Sequence, residues 1–262
     1  MFPRLTPMVK SLLIVTIAAY FIPQLLGWND INFYLGLWSL GSDYFMPHQF
    51  FTYMFAHGSF WHIFGNMLGL FFLGAALEQF WGSKRFLIFY MVTGIGAGVL
   101  YEAIKYVQVM PMKSRMEEYI ANPNPDDFAI YMAKYSPQHY NGLYDFIEYY
   151  SEHPLEGKRQ SISYVEQAYN GRINIPMVGA SGAIYAILMA FGLLFPNTTM
   201  IIFPLPIPIK AKYLVLGAGG YVLFKLFSNT SGDQVAHLAH LTGMIFGYIM
   251  IRIWSKGKNN FY

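Results

Sequence analysis

The sequence predicts an all-α polytopic membrane protein: a bundle of six transmembrane helices with one polar, helical insertion on the extracytoplasmic side. Three observations carry this. Of 262 residues, 55% are hydrophobic and 12% charged, where a soluble globular domain has about a quarter charged. Apolar stretches long enough, or nearly long enough, to cross a bilayer as helices recur six times along the chain. Nine of the 14 acidic residues fall between Glu117 and Glu166, which leaves the remainder almost free of acid. The net charge of +3 comes with no basic cluster, so no nucleic-acid partner is expected. The absence of cysteine excludes disulfides and thiolate metal sites.

The first span, near 8–27, follows Arg4 and Lys10. It is expected to be retained, since no A-x-A cleavage site follows it. The others are placed near 59–81, 85–106, 180–195, 211–228 and 235–254. This divides the chain into a membrane core at 1–107 (spans 1–3), a polar insertion at 108–175 and a second membrane portion at 176–262 (spans 4–6). The insertion has breaks at Pro-Asn-Pro, Ser-Pro and Gly-Arg. Between them lie helix-like pieces such as D-D-F-A-I-Y-M-A-K-Y and L-Y-D-F-I-E-Y-Y. It is expected to be a small helical cap on the outer face, the alternative being a substrate gate or partner site. In I-I-F-P-L-P-I-P-I-K, alternate prolines forbid a helix, and the segment is expected to lie along the inner interface. With both termini inside, the inner segments hold Arg4, Lys10, Lys84, Arg85, Lys210, Lys212, Arg252, Lys256 and Lys258, while the loop from Trp28 to Gly58 and that from Ser228 to Gln234 hold no Lys or Arg. Lys105 and Lys225 then fall near outer helix ends, where they can snorkel.

Depth adds a functional reading. With Trp81, Pro196 and Arg252 as inner-surface markers and about 1.5 Å of rise per residue, Ser181 and Asn66 come out about 22 Å above that surface, His240 about 18 Å and His62 about 28 Å. Four polar side chains on three helices share a layer of a core about 30 Å thick. Polar groups at that depth are costly unless they face a cavity or one another. The segment carrying Ser181 is too short to span fully, so its start should open on a water-filled dip from the outer side. Its first N–H groups and the positive helix end suit a developing oxyanion.

Ser181 is then a candidate nucleophile and His240 its base. Each alone has a plainer explanation: a packing or N-capping serine, and a histidine satisfied by a carbonyl. The stripe His240, Gly243, Gly247 occupies one helix face, and glycines let backbones approach closely. Gly182 and Ala186 on the Ser181 helix are the complementary small residues, and together these favour catalysis. His237, at i−3, is a rival base. The H-x-x-H pair could bind a metal, but no third ligand is placed near it and no metal is expected. No third triad member is in sight, so a Ser–His dyad is expected. Tyr185, at i+4 from Ser181, could stack on His240, or be an ordinary core tyrosine. His62 and Asn66, also i and i+4, could donate to an oxyanion with the Ser181 amide, or simply bond between helices. His48 and His57 are expected to be structural, tying the first outer loop to the bundle.

H-I-F-G-N at 62–66, L-G-A-A-L-E-Q-F-W-G at 73–82, G-A-S-G-A-I-Y at 179–185 and A-H-L-T-G-M-I-F-G at 239–247 together resemble the rhomboid intramembrane serine proteases, over nearly the whole membrane core. The resemblance implies Ser181 as nucleophile and His240, not His237, as base. It implies His62, Asn66 and the Ser181 amide as oxyanion hole, and Tyr185 as the packing partner of His240. It gives Gly179, Gly182, Gly243 and Gly247 supporting roles, and Glu78 a structural role at the inner end of the second span. It implies single-span membrane proteins as substrates and no cofactor; the compact six-span core points to a bacterial inner membrane, and the charge distribution and short fourth segment to a site open to the extracytoplasmic side. A non-proteolytic rhomboid-like binding or quality-control factor is the alternative. Two departures stand out: His48-Gln49 falls where many rhomboids carry Trp-Arg in the first loop, and the long insertion is not part of the core pattern.

Overall fold

The computed structural model describes residues 4–28, 30–201, 207–228 and 234–256. The helices are α1 (Pro7–Leu25), α2 (Ile31–Leu35), α3 (Gln49–Thr52), α4 (Phe60–Gly69), α5 (Ala75–Trp81), α6 (Ser83–Ala121), α7 (Pro125–Tyr135), α8 (Pro137–Tyr140), α9 (Tyr144–Glu152), α10 (Pro154–Ile173), α11 (Ser181–Leu194), α12 (Ala211–Phe227) and α13 (Gln234–Lys256). A π-helical turn, Leu70–Gly74, joins α4 to α5. Between α11 and α12, β1 (Thr199–Ile201) and β2 (Pro208–Lys210) pair antiparallel. The centre of the proline-rich segment, 202–206, lies outside the described residues, as do 229–233 between α12 and α13 and Lys258.

Among the described residues, four helical segments are long and apolar enough to cross a membrane: Pro7–Leu25, Phe60–Trp81, Ser83–Ala121 and His237–Ser255. The protein is a polytopic, mainly helical membrane protein. The two remaining expected spans form shorter helices, α11 with 14 residues and α12 with 17. At 1.5 Å per residue α11 is about 21 Å long.

The chain forms two compact units, one of residues 1–37, 46–101 and 176–262, the other of 38–45 and 102–175. In the first, α11 is the centre and packs most extensively on α13. It is buried nearly all round, with Gly182, Ala183, Ile184, Ala186, Ile187, Ala190 and Phe191 all in the core. A helix apolar on every side has to sit inside the bundle.

Glu78, 3% exposed, holds one end of this unit together. Its carboxylate accepts the Met8 and Val9 backbone N–H groups at 2.9 and 2.8 Å, the Thr6 hydroxyl, and the Ser83 hydroxyl. The first N–H groups of α1 have no intrahelical partner, and a carboxylate there also meets the positive end of the helix dipole. Gly82, at φ +79°, lets α5 end and α6 begin at the next residue. At the same end Trp81 and Trp254 meet edge-on at 5.3 Å, and Arg85 lies 4.3 Å over the Trp254 ring.

The second unit has its own core, built from Val109, Met112, Tyr119, Phe128, Tyr131, Tyr150, Val165, Tyr169 and their neighbours. Two expectations are corrected here, and helix α6 runs on beyond 106, where the third apolar segment is expected to end, through Pro111 to Ala121. Val109, Met112 and Tyr119 are buried in this core, and their packing outweighs the hydrogen bond that proline forfeits. Gly-Arg at 171–172 is not a break: α10 runs through it to Ile173, with Tyr169 and Ile173 buried one turn apart. Lys105 does not reach a surface. It is buried, Glu102 sits one turn before it, and its Nζ donates to the Ile175 carbonyl at 3.3 Å. Pro-Asn-Pro does separate α6 from α7, with Asn124 capping the new helix by accepting the Asp127 N–H at 2.9 Å and Pro125 at its first position.

Candidate active site

Ser181 is the first residue of α11 and is 9% exposed. The chain reaches it through a constrained loop. Leu37 and Met177 exchange backbone hydrogen bonds of 2.9 and 2.8 Å, and the Gly179 N–H donates to the Tyr53 carbonyl at 2.9 Å. The Tyr53 hydroxyl in turn donates to the Gly94 carbonyl of α6 at 2.7 Å. Gly179 sits at φ +114°, and a Cβ there would lie 2.5 Å from His62 Nε2 and 3.5 Å from Asn66 Nδ2. The glycine is needed twice over, for its backbone angle and for its lack of volume.

Helix α13 supplies His240. Gly243 packs on the Gly182 backbone so closely that a Cβ would fall within 2.9 Å of Gly182 Cα, and a Cβ on Gly247 would fall 2.7 Å from the Ala186 carbonyl oxygen. Backbone-to-backbone contact over two turns places α13 against the turn that opens with Ser181. The Tyr185 and His240 rings stack with centroids 4.0 Å apart and planes at 9°. The Thr242 hydroxyl donates to the Ala239 carbonyl at 2.9 Å and to the Ala97 carbonyl at 3.2 Å, which fixes the rotation of α13. His240 Nδ1 is buried with no hydrogen-bond partner among the described residues. His237 meets His240 edge-on at 6.1 Å and Tyr221 at 5.7 Å, and both of its ring nitrogens are buried without partners among the described residues. No group of three metal-ligating side chains occurs among the described residues.

Helix α4 brings the third set of groups. Ser59 caps it by accepting the His62 N–H at 3.2 Å, which sets the helical phase of His62 and Asn66. Asn66 is 7% exposed, and its Nδ2 lies 3.0 Å from His57 Nε2. His57 was expected only to tie the first loop to the bundle. Its carbonyl accepts the Asn32 amide at 3.0 Å within that loop, and its ring touches Asn66 of α4 and meets the His62 ring at 5.0 Å. The sequence signal was there, a histidine five residues before His62. Tyr53 and Ser59 carry no such signal. In the first loop, His48 Nε2 faces the Tyr34 carbonyl at 3.4 Å, and the buried Gln49 accepts the Met46 N–H at 3.0 Å.

The first turn of α11 with Ser181, the His240 ring stacked on Tyr185 and the Asn66 amide of α4 beside Gly179 are thus brought to one region of the first unit. The Rhomboid domain family model matches residues 44–110 and 158–257. The chain therefore belongs to the rhomboid family, whose members are in general intramembrane serine proteases. No curated protein matches the chain.

Proposed function

We propose that the protein is an intramembrane serine endopeptidase that cleaves single-span membrane proteins by a dyad of Ser181 and His240. The observation that supports this is the α11–α13 contact, in which Gly243 packs on Gly182 and the His240 ring stacks on Tyr185, one turn along α11 from Ser181. His240 takes the proton as Ser181 Oγ attacks the peptide carbonyl, then returns it to the leaving amine. Water repeats the sequence on the acyl-enzyme and frees Ser181. His62, Asn66 and the Ser181 N–H stabilise the oxyanion, and removing one such donor costs about 10²–10³ in rate. The chemistry asks for no cofactor. A helical substrate hides its carbonyls, so the segment to be cut has to unwind at the site.

The membrane arrangement that accompanies this reading has six spans, with the short α11 and α12 completing the bundle and both termini inside. The location is the bacterial inner membrane, with the site open to the extracytoplasmic side. The test is purified protein in detergent with a tagged single-span substrate, wild type against Ser181→Ala, and a fluorophosphonate probe in parallel. Cleavage and labelling by wild type, both lost in the variant, are expected. Cleavage that survives Ser181→Ala removes the nucleophile assignment. Neither cleavage nor labelling by wild type points to a non-proteolytic binder.

A further inference from the structure

We propose that His57 is a positioning residue for the oxyanion hole: it accepts one N–H of the Asn66 side-chain amide and thereby turns the donor edge of that amide toward the loop that opens α11. The inference rests on the protease reading above and adds a residue to it.

The contact between Asn66 and His57 has a single polarity. Asn66 Nδ2 and His57 Nε2 are 3.0 Å apart. An amide nitrogen donates and cannot accept, so His57 Nε2 is the unprotonated nitrogen. The ring proton then resides on Nδ1, which faces the Phe55 carbonyl at 3.4 Å. Both nitrogens therefore have work that suits one neutral tautomer. Burial first, and the neighbouring His62 second, push His57 down to about 4, so that tautomer is the form present at neutral pH. The Asn32 bond to the His57 carbonyl holds its backbone, and the His62 ring meets the imidazole edge-on.

The consequence concerns the amide. An asparagine side chain presents a donor on one edge and an acceptor on the other, and rotation by about 180° exchanges them. In this structure Nδ2 is the Asn66 atom that faces Gly179, 3.5 Å from where a Cβ would stand there. One Nδ2 hydrogen goes to His57, and the second is left for an oxyanion beside Ser181. The exchanged amide would set its oxygen against the His57 lone pair and turn that same oxygen toward a developing negative charge. His57 disfavours that state before substrate arrives, which is the preorganisation that makes oxyanion donors effective.

The experiment uses the full chain in detergent with the tagged single-span substrate. It compares wild type, His57→Phe, His57→Gln, Asn66→Ala and the double variant His57→Phe/Asn66→Ala. Phenylalanine keeps the ring and the His62 contact but accepts nothing. Glutamine restores an acceptor oxygen. The expected result is a fall in kcat of about tenfold or more for His57→Phe with KM unchanged, a loss bounded by that of deleting an oxyanion donor. His57→Gln recovers most of it, and His57→Phe adds nothing in the Asn66→Ala background. Equal losses in wild-type and Asn66→Ala backgrounds, or equal losses for glutamine and phenylalanine, overturn the proposal. If His57→Phe fails to fold, judged by its unfolding midpoint, His57→Leu takes its place in the same cycle. Wild-type cleavage that disappears in Ser181→Ala checks the protease reading separately, so a failure of either is identified.

Discussion

At the scale of single residues, Gly179 and Tyr185 carry the sharpest consequences. A methyl group on Gly179 meets the His62 ring while the backbone is held at φ +114° by the bond to Tyr53. Strain of this kind costs about 1–3 kcal/mol, and a shift of the loop by an ångström can cost about 10²-fold in rate. Gly179→Ala is therefore expected to lose about two orders of magnitude in kcat/KM, with fluorophosphonate labelling of Ser181 reduced in step. Wild-type labelling in that variant would show the loop is not what sets the site. The Tyr185 ring stacks on His240, and aromatic stacks contribute about 0.5–1.5 kcal/mol beyond the area they bury. Tyr185→Phe should keep most of the activity and Tyr185→Ala should lose about tenfold or more, read as initial cleavage rates. The i, i+4 spacing of Ser181 and Tyr185 is legible in the sequence because a helix makes it a shared face. The role of Gly179 as a strained neighbour of His62 is not, since it depends on how two loops distant in sequence cross.

At the scale of elements, the contact of α11 with α13 is made by backbone. Nothing flexible stands between Gly243 and Gly182 to give way, so any side chain on Gly243 has to part the helices. Overpacking of this sort costs about 1–3 kcal/mol. Gly243→Ala is expected to lower the thermal midpoint and to cut activity more than stability alone explains, because α13 carries His240. Restored activity at lower temperature, with the midpoint shift unchanged, would argue against displacement of His240. Glu78 is the corresponding joint at the other end. Glu78→Gln keeps the shape but loses the charge and leaves the α1 donors with a weaker partner, and hydrogen bonds to charged groups are worth about 1.5–3 kcal/mol each. A loss of a few kcal/mol in unfolding is expected, with fluorophosphonate labelling of the folded fraction unchanged. The glycine stripe and Glu78 were both readable as pattern. The end of α6 and the continuity of α10 through Gly171 were not, because buried contacts of Val109, Met112, Tyr119 and Ile173 decide them, and local proline and glycine signals do not see those contacts.

For the whole molecule, the deciding quantity is the distribution of charge along the chain. Lys and Arg gather in the segments assigned to the inner side, and the first connecting loop has neither. Positive charge near span ends resists translocation, while a long insertion crosses largely regardless of its charge. The aromatic and basic cluster of Trp81, Arg85 and Trp254 lies at the Glu78 end of the bundle, the end that the proposed orientation puts inside. The sequence has no cysteine, so any single introduced thiol is the only one to react. Leu155→Cys, at a position 91% exposed on α10, should be labelled in intact cells by a membrane-impermeant maleimide. Lys84→Cys and Lys212→Cys should react only after the cells are opened. Labelling of Lys212→Cys from outside would place the α11–α12 connection on the wrong face and leave α11 unable to enter from the side the proposal requires. Protection of Leu155→Cys in intact cells, with reaction after lysis, would reverse the orientation altogether. The site would then open inward, toward a different set of substrate termini.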